Sequence, residues 1–288
     1  MNQYEHKRII ILVKTYPHPS NKSIETVCTA GLTEDGKWIR IYPIPFRYLA
    51  GDKQFKTFQW IEADVVKRPK NKDYRKESYS VDTDSIVLLD HLDSEDDAAK
   101  RFRLVSDAAT ESFEALINAH QTQDDKPTLA AVKPYKMYDL KFEKVDPDWT
   151  PTQKAMLNQF SIFDQDLERK PLQKVPYKIK CCFDDSNKDH THHELSLTDW
   201  QYNFTLLKLL SETDGDDQKA KDELNKRWLT NFKEDRESYL FFGTALAEER
   251  FHTFITIGYC SISKEYIKRG EQLSLFDQTE RSSFFLDA

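Results

Sequence analysis

Two β-rich segments, residues 25–33 and 37–44, are separated by Glu34-Asp35-Gly36. Asp-Gly between strand-forming runs is a strong hairpin signal, because the tight turn needs positive φ angles that Gly adopts at no steric cost. A hairpin here commits the N-terminal region to antiparallel pairing. Three further β-rich runs surround it: residues 8–16 (RIIILVKTY), 58–67 (FQWIEADVVK) and 85–92 (SIVLLDHL). The first is closed by Tyr16-Pro17-His18-Pro19-Ser20-Asn21, whose prolines exclude a helix. The first hundred residues predict the short strands of a small barrel.

The pattern then changes. Phe102, Val105, Ala109, Phe113, Leu116 and Ile117 recur at helical spacing and predict one amphipathic helix over 96–120. A strand is expected over 136–145. Thr150-Pro151-Thr152-Gln153 has the form of a capping box with Pro at the first helical position, opening a helix to about Phe160. A strand over 177–183 and a polar His-rich loop follow. A helix is expected from Ser196, with Asp199 three residues on, burying Trp200, Phe204, Leu207 and Leu210. Another carries Leu224, Trp228 and Phe232 in register, and strands are expected over 239–246 and 251–261. The chain is read as having no internal repeat. The predicted fold class is α+β: a strand-rich, OB-like β-barrel over 1–95, an acidic mixed helix/strand domain over 96–264, and a mobile tail over 265–288.

Charge sharpens this division. The 288 residues carry 42 Lys+Arg and 49 Asp+Glu, a net charge of −7 that argues against a general nucleic-acid coat. The balance is uneven: residues 1–80 hold 15 basic and 9 acidic residues, +6, and the rest hold 27 against 40, −13. A basic module on an acidic body points to an anionic partner for the basic part; the alternative is a solvated loop, with Lys67-Arg68-Pro69-Lys70-Asn71-Lys72 as a linker. Only four cysteines occur, too few for a disulfide scaffold, and the longest N-terminal apolar run, Ile9–Val13, is too short for a signal peptide or a spanning helix. A reduced, cytoplasmic protein without a membrane segment is expected.

Gly31-Leu32-Thr33-Glu34-Asp35-Gly36-Lys37 matches the start of a phosphate-binding loop. Trp38 stands where a Ser or Thr hydroxyl is required, Glu34 and Asp35 would face phosphate, and a strand rather than a helix follows. The match is a hairpin turn.

Along that second strand, period-two alternation places Trp38, Arg40 and Tyr42 on one face and Ile39 and Ile41 on the other. Rings for stacking beside a cation for phosphate form the chemistry of single-strand binders. Arg47 extends it into the next loop, and Lys14 and Tyr16 border it, so Lys14, Tyr16, Trp38, Arg40, Tyr42 and Arg47 are the candidate nucleic-acid contacts. The run Glu25-Thr26-Val27-Cys28-Thr29-Ala30-Gly31, followed by Gly36-Lys37-Trp38-Ile39-Arg40, resembles the opening hairpin of bacterial dual OB-fold proteins. That resemblance implies nucleic-acid binding in conflict with phage and other mobile elements. Here Ile41-Tyr42 stands between the Arg and the Pro that the family places directly after it.

Two other constellations carry weaker chemistry. Cys181, Cys182, His190, His192 and His193 supply metal-ligating atoms, but adjacent strand cysteines point to opposite faces, and no metal or other cofactor is expected. Glu62 and Asp64 share a strand face with Lys67 on the other, faintly like a nuclease site that holds magnesium. No catalytic residue is identified, and enzymatic activity is left open.

At the other end, Gln272-Leu273-Ser274-Leu275-Phe276 resembles the pentapeptide by which bacterial proteins bind the DNA sliding clamp. The resemblance implies an extended peptide with Leu273, Leu275 and Phe276 in an apolar cleft and Gln272 at its edge. The leading functional expectation is a nucleic-acid-binding accessory protein in bacterial genome defence or replication, tethered to the clamp by its tail. The alternatives are a metal-dependent nuclease and a clamp-binding protein that needs no nucleic acid.

Overall fold

The computed structural model describes residues 3–21, 24–158, 171–245 and 253–283, with side chains up to residue 273. The first part contains β1 (Glu5–Lys14), β2 (His18–Ser20), β3 (Ile24–Thr33), β4 (Trp38–Ile44), β5 (Gln59–Lys67), β6 (Ser78–Val81) and β7 (Val87–His91). β1 pairs antiparallel with β3 and with β5, β3 with β4, and β5 with β6, while β4 and β6 run parallel. These pairings close a five-stranded barrel in the order β1-β3-β4-β6-β5, with β2 and β7 added at its margins. This is an OB-like barrel. The expected hairpin turn is present: Gly36 has φ +73°, and the Thr33 amide donates to the Lys37 carbonyl at 3.0 Å.

The second part contains α1 (Ala98–Asp107), β8 (Ala109–Thr110), α2 (Phe113–Thr122), β9 (Leu129–Val132), β10 (Lys136–Met137), β11 (Lys141–Lys144) and α3 (Pro151–Asn158). It continues with β12 (Tyr177–Asp184), β13 (His192–Ser196), α4 (Trp200–Glu212), α5 (Asp217–Thr230), β14 (Arg236–Thr244), β15 (Phe254–Ser263) and α6 (Lys264–Ser283). One sheet has the order β15-β14-β9-β8; in another, β12 is flanked by β10, β11 and β13. The architecture is α+β, as expected.

The unbroken apolar run of β1 has two jobs. Ile9 and Ile11 point into the barrel with Ile39, Ile41, Ile61 and Val65. Ile10 and Leu12 point outward, and with Ala30 and Leu32 they pack against Leu129, Phe241 and Ile257 of the second part. Both faces of β1 are covered, so it reads as continuous rather than alternating. The remaining core lies within the second part, around Phe113, Ile179, Leu206, Leu224, Trp228 and Phe242.

Several local expectations change. The helix expected over 96–120 is two helices. Ala109-Thr110 leaves α1 to pair with β9, and the Ser112 hydroxyl caps α2 by accepting from the Ala115 amide at 3.0 Å. α4 begins at Trp200, not Ser196: Ser196 ends β13, and Asp199 is the cap, accepting from the Tyr202 amide at 2.9 Å. The buried stripe is therefore Tyr202, Leu206 and Leu209, and Phe204 is 56% exposed. The capping box at α3 forms as read, with the Gln153 amide and Thr150 hydroxyl 3.3 Å apart. Beyond β15 the backbone continues as α6 over part of the expected mobile tail; good helix formers dominate its first two turns, and Gly270 lets it approach Ala99 of α1.

Candidate nucleic-acid interface

In OB-like barrels the face of the second and third strands and the loops beside it carry ligands. Here that face belongs to β3 and β4, and the second part covers much of it. The expected ligand face of β4 is reordered accordingly. Arg40 is 1% exposed, its guanidinium donating to the Thr128 hydroxyl at 3.1 Å and to the Thr128 carbonyl at 3.0 Å. Glu77 completes this contact by accepting from the Thr128 amide at 2.9 Å. Burial of an arginine demands such partners, and they come from Thr128, directly before β9, which the sequence did not reveal. Arg40 is thus a joint between the two parts, not a surface cation. Trp38 is half-buried, its indole donating to the Ala108 carbonyl at 3.3 Å and its ring meeting Phe241 edge-on at 6.0 Å. Tyr42 is half-buried beneath Arg68, which donates to the Tyr42 carbonyl at 2.8 Å.

Lys14, Tyr16 and Arg47 gather elsewhere, around Trp200. The Lys14 ammonium donates to the Phe55 carbonyl at 2.9 Å and lies 4.2 Å from the Phe46 ring centre and 5.7 Å from that of Trp200. Tyr16 donates to the Gln173 carbonyl at 2.9 Å, and Arg47 pairs with buried Glu25 at 3.1 Å. Tyr16, Arg47 and Trp200 line a groove of about 680 Å³ with Phe204 and Lys208.

Two groups beneath this groove titrate unusually. Burial pushes the Lys14 amine down to about 8, partly offset by Asp199. Asp199 is half-buried as a residue, but its carboxyl turns inward against Gly258; burial raises it to about 7 despite the amides it accepts from. Between pH 3.8 and about 7 the unfolded chain has lost this proton while the folded chain keeps it. Stability from Asp199 is therefore full below pH 3.8 and lost as pH rises to about 7. Lys14 acts at higher pH: between about 8 and 10.5 only the unfolded chain keeps its proton, so stability rises through that window. Asp199→Asn is expected to flatten the urea-midpoint profile between pH 4 and 7, and an unchanged slope there would remove this assignment.

A second assembly of cations and rings is at the barrel mouth. A cleft of about 690 Å³ between the two parts is lined by Lys7, Lys37, Lys76, Trp38 and Tyr79, with Asp35, Glu77, Asp107 and Asp125 among them. Lys7 and Lys67 lie 5.5 and 4.6 Å from the centre of the Tyr79 ring. Lys37 pairs with Asp35 at 2.6 Å, and Lys76 pairs with Asp125. Lys37 and Thr33 hold the Asp35 carboxyl down to about 2.

Beside the cleft runs the β5–β6 connection. From Lys67 to Lys76 it carries six cations and one acid, Asp73. That acid organises the loop. Asp73 is buried and takes Arg75 in a bidentate pair, both oxygens at 2.8 Å, while Arg68 stands 3.5 Å away. Burial alone would raise this carboxyl, but the bonds and charge of Arg75 outweigh it and hold it below the usual range. Arg75 then donates to the Thr244 carbonyl and Tyr74 to the Ala245 carbonyl, each at 2.8 Å. The loop is braced at its middle, and Lys70, Lys72 and Lys76 are left exposed. The sequence showed this basic run but not Tyr79, because β6 is short and follows no long alternating pattern.

The remaining candidates are dispersed. Cys181 points into the core and its thiol is pushed up by burial; Cys182 pairs across the strand with Glu194; His190 stacks on Tyr135; His192 meets Asp184 at 2.8 Å. Glu62 and Asp64 share a face, with His6 at 2.8 Å from Asp64 and 3.8 Å from Glu62. Among the described residues, no group of three His, Cys, Asp or Glu is placed to hold a metal ion, and no helix is long and apolar enough to cross a membrane. Gln272–Phe276 lie on α6; Leu273 is 60% exposed, and the side chains of Ser274, Leu275 and Phe276 lie outside the described residues.

The curated proteins contain no match to this chain. Among solved structures, a murine DNA-binding protein bound to double-stranded DNA is 9% identical, with a TM-score of 0.30 over 90% of this chain and 96% of that one, a level that carries no argument about function. Family comparison is firmer. Residues 5–107, which contain the barrel, match the family described as Domain of unknown function (DUF8758). Residues 109–280, well over half of the chain, match a second family, and the chain accordingly belongs to the one described as Domain of unknown function (DUF8757).

Proposed function

We propose that this protein binds nucleic acid at the barrel mouth, with the phosphate backbone along the β5–β6 loop and bases against Trp38 and Tyr79. The braced loop with six cations and one acid carries the reading. A rigid basic loop loses little entropy on meeting phosphate, and adjacent rings add stacking of about 1–3 kcal/mol per base. The overall charge of −7 does not oppose this, because Debye screening over about 8 Å makes local charge decide contact.

Lys70→Glu/Lys72→Glu tests it. Both side chains are exposed, so the melting temperature should stay within a degree or two. Affinity for a single-stranded oligonucleotide should fall at least tenfold at 0.1 M salt. The slope of log affinity against log salt should shrink by about 1.4, at about 0.7 per lost phosphate contact. Unchanged affinity and slope would remove the loop from the interface.

A second element of the proposal is the tail. Its Gln-Leu-Ser-Leu-Phe pattern, and an apolar Leu273 left exposed on α6, support docking to the bacterial DNA sliding clamp. With the dual OB-fold resemblance at the first hairpin, this supports a role in bacterial genome defence or replication. A clamp-binding protein without nucleic-acid affinity is the competing reading, and the salt-slope measurement separates the two.

A further inference from the structure

The chain carries the same short segment twice. Residues 159–165 read QFSIFDQ and residues 272–278 read QLSLFDQ, identical at five of seven positions. The two differences exchange one large apolar residue for another: Phe160 for Leu273, and Ile162 for Leu275. The reading of a chain without repeats is corrected at this scale.

A common fold requirement does not explain the likeness. The first copy follows α3, which packs on β2 and β3, and the second lies on α6, which packs on α1 and β15. Elements with different neighbours share no packing constraint that would demand the same order of amide, apolar, hydroxyl, apolar, aromatic, acid and amide. The same order of residues beside elements with different neighbours points outward, to one kind of external cleft read twice. Residues 159–165 lie outside the described residues, so the argument rests on their sequence and on the elements that flank them.

We propose that QFSIFDQ is a second docking segment, equivalent to the tail segment, and that the chain engages the bacterial sliding clamp through both. The inference rests on the clamp reading above and extends it to a bivalent attachment. Two linked ligands on a partner that presents the cleft more than once bind far more tightly than either alone, because the second contact forms at high effective concentration.

The test uses full-length protein and a purified bacterial sliding clamp in a solution binding titration. Ile162→Ala/Phe163→Ala and Leu275→Ala/Phe276→Ala should each weaken binding at least tenfold, and the combined variant at least a hundredfold. Phe160→Leu/Ile162→Leu, which turns the first copy into the tail sequence, should bind within twofold of the wild type and shows that the segment tolerates substitution. Wild-type affinity in Ile162→Ala/Phe163→Ala overturns this inference while the tail reading stands. No clamp binding by the wild-type chain overturns both.

Discussion

Replacing Asp73 with Ala is expected to destabilise the protein by about 3–5 kcal/mol, the cost of stranding a buried cation by removing its partner. Arg75 is only 4% exposed, and its two shortest side-chain contacts to a charged group are both with Asp73. The loss reaches further than one pair. Arg75 also ties the β5–β6 loop to the end of β14 through Thr244, so the brace of the basic loop goes with it. Urea unfolding of the wild type and the variant measures the effect. A midpoint shift equivalent to under 1 kcal/mol would show that the loop is not organised by this pair. Oligonucleotide affinity, measured where the variant remains folded, should also fall, because Lys70 and Lys72 would then be displayed from an unbraced segment.

Gly31→Ala should be at least as damaging, on the order of 4 kcal/mol or more. A Cβ at Gly31 would stand 2.0 Å from the carbonyl oxygen of Ile10. The obstruction is backbone, in the strand paired with β3, and cannot rotate away. β1 and β3 would have to part beside the irregularity between Ile11 and Val13, opening the barrel at that pairing. Gly51→Ala is the control: nothing lies within 4 Å of a Cβ there, and near wild-type stability is expected. Comparable midpoints for the two variants would mean that β1 and β3 can separate cheaply.

The barrel was legible because its strands obey local rules. Gly36 had to turn, β1 had to be buried, and the alternation along β4 put Ile39 and Ile41 inside. What failed depended on partners distant in sequence. Arg40 alternates like a surface residue, and only Thr128, 88 positions away, makes it an interior one. β9 is four buried residues without alternation, and β13 lies within a His-rich stretch that reads as a loop. The buried face of α4 was not legible because Trp200, Phe204 and Leu207 and also Tyr202, Leu206 and Leu209 recur at helical spacing, and only the neighbouring elements decide which stripe is covered. At the candidate interface, the charge of residues 67–76 was visible in the sequence. Its brace was not, because Asp73 and Arg75 look as solvated as their neighbours until Thr244 is brought beside them. The duplicated heptapeptide is too short to mark a structural repeat.

The cover that the second part lays over the barrel also has a consequence in time. The last barrel strand ends at Val81, whereas β14 begins at Arg236. At about 5–20 residues per second, a ribosome takes roughly 8–30 s to synthesise the intervening chain. Throughout that interval Ile10, Leu12, Ala30 and Leu32, on a barrel that can already close, lack the cover of Phe241 and Ile257. Whatever shields these side chains must act before β14 and β15 are made, and it acts on the barrel rather than on the finished protein.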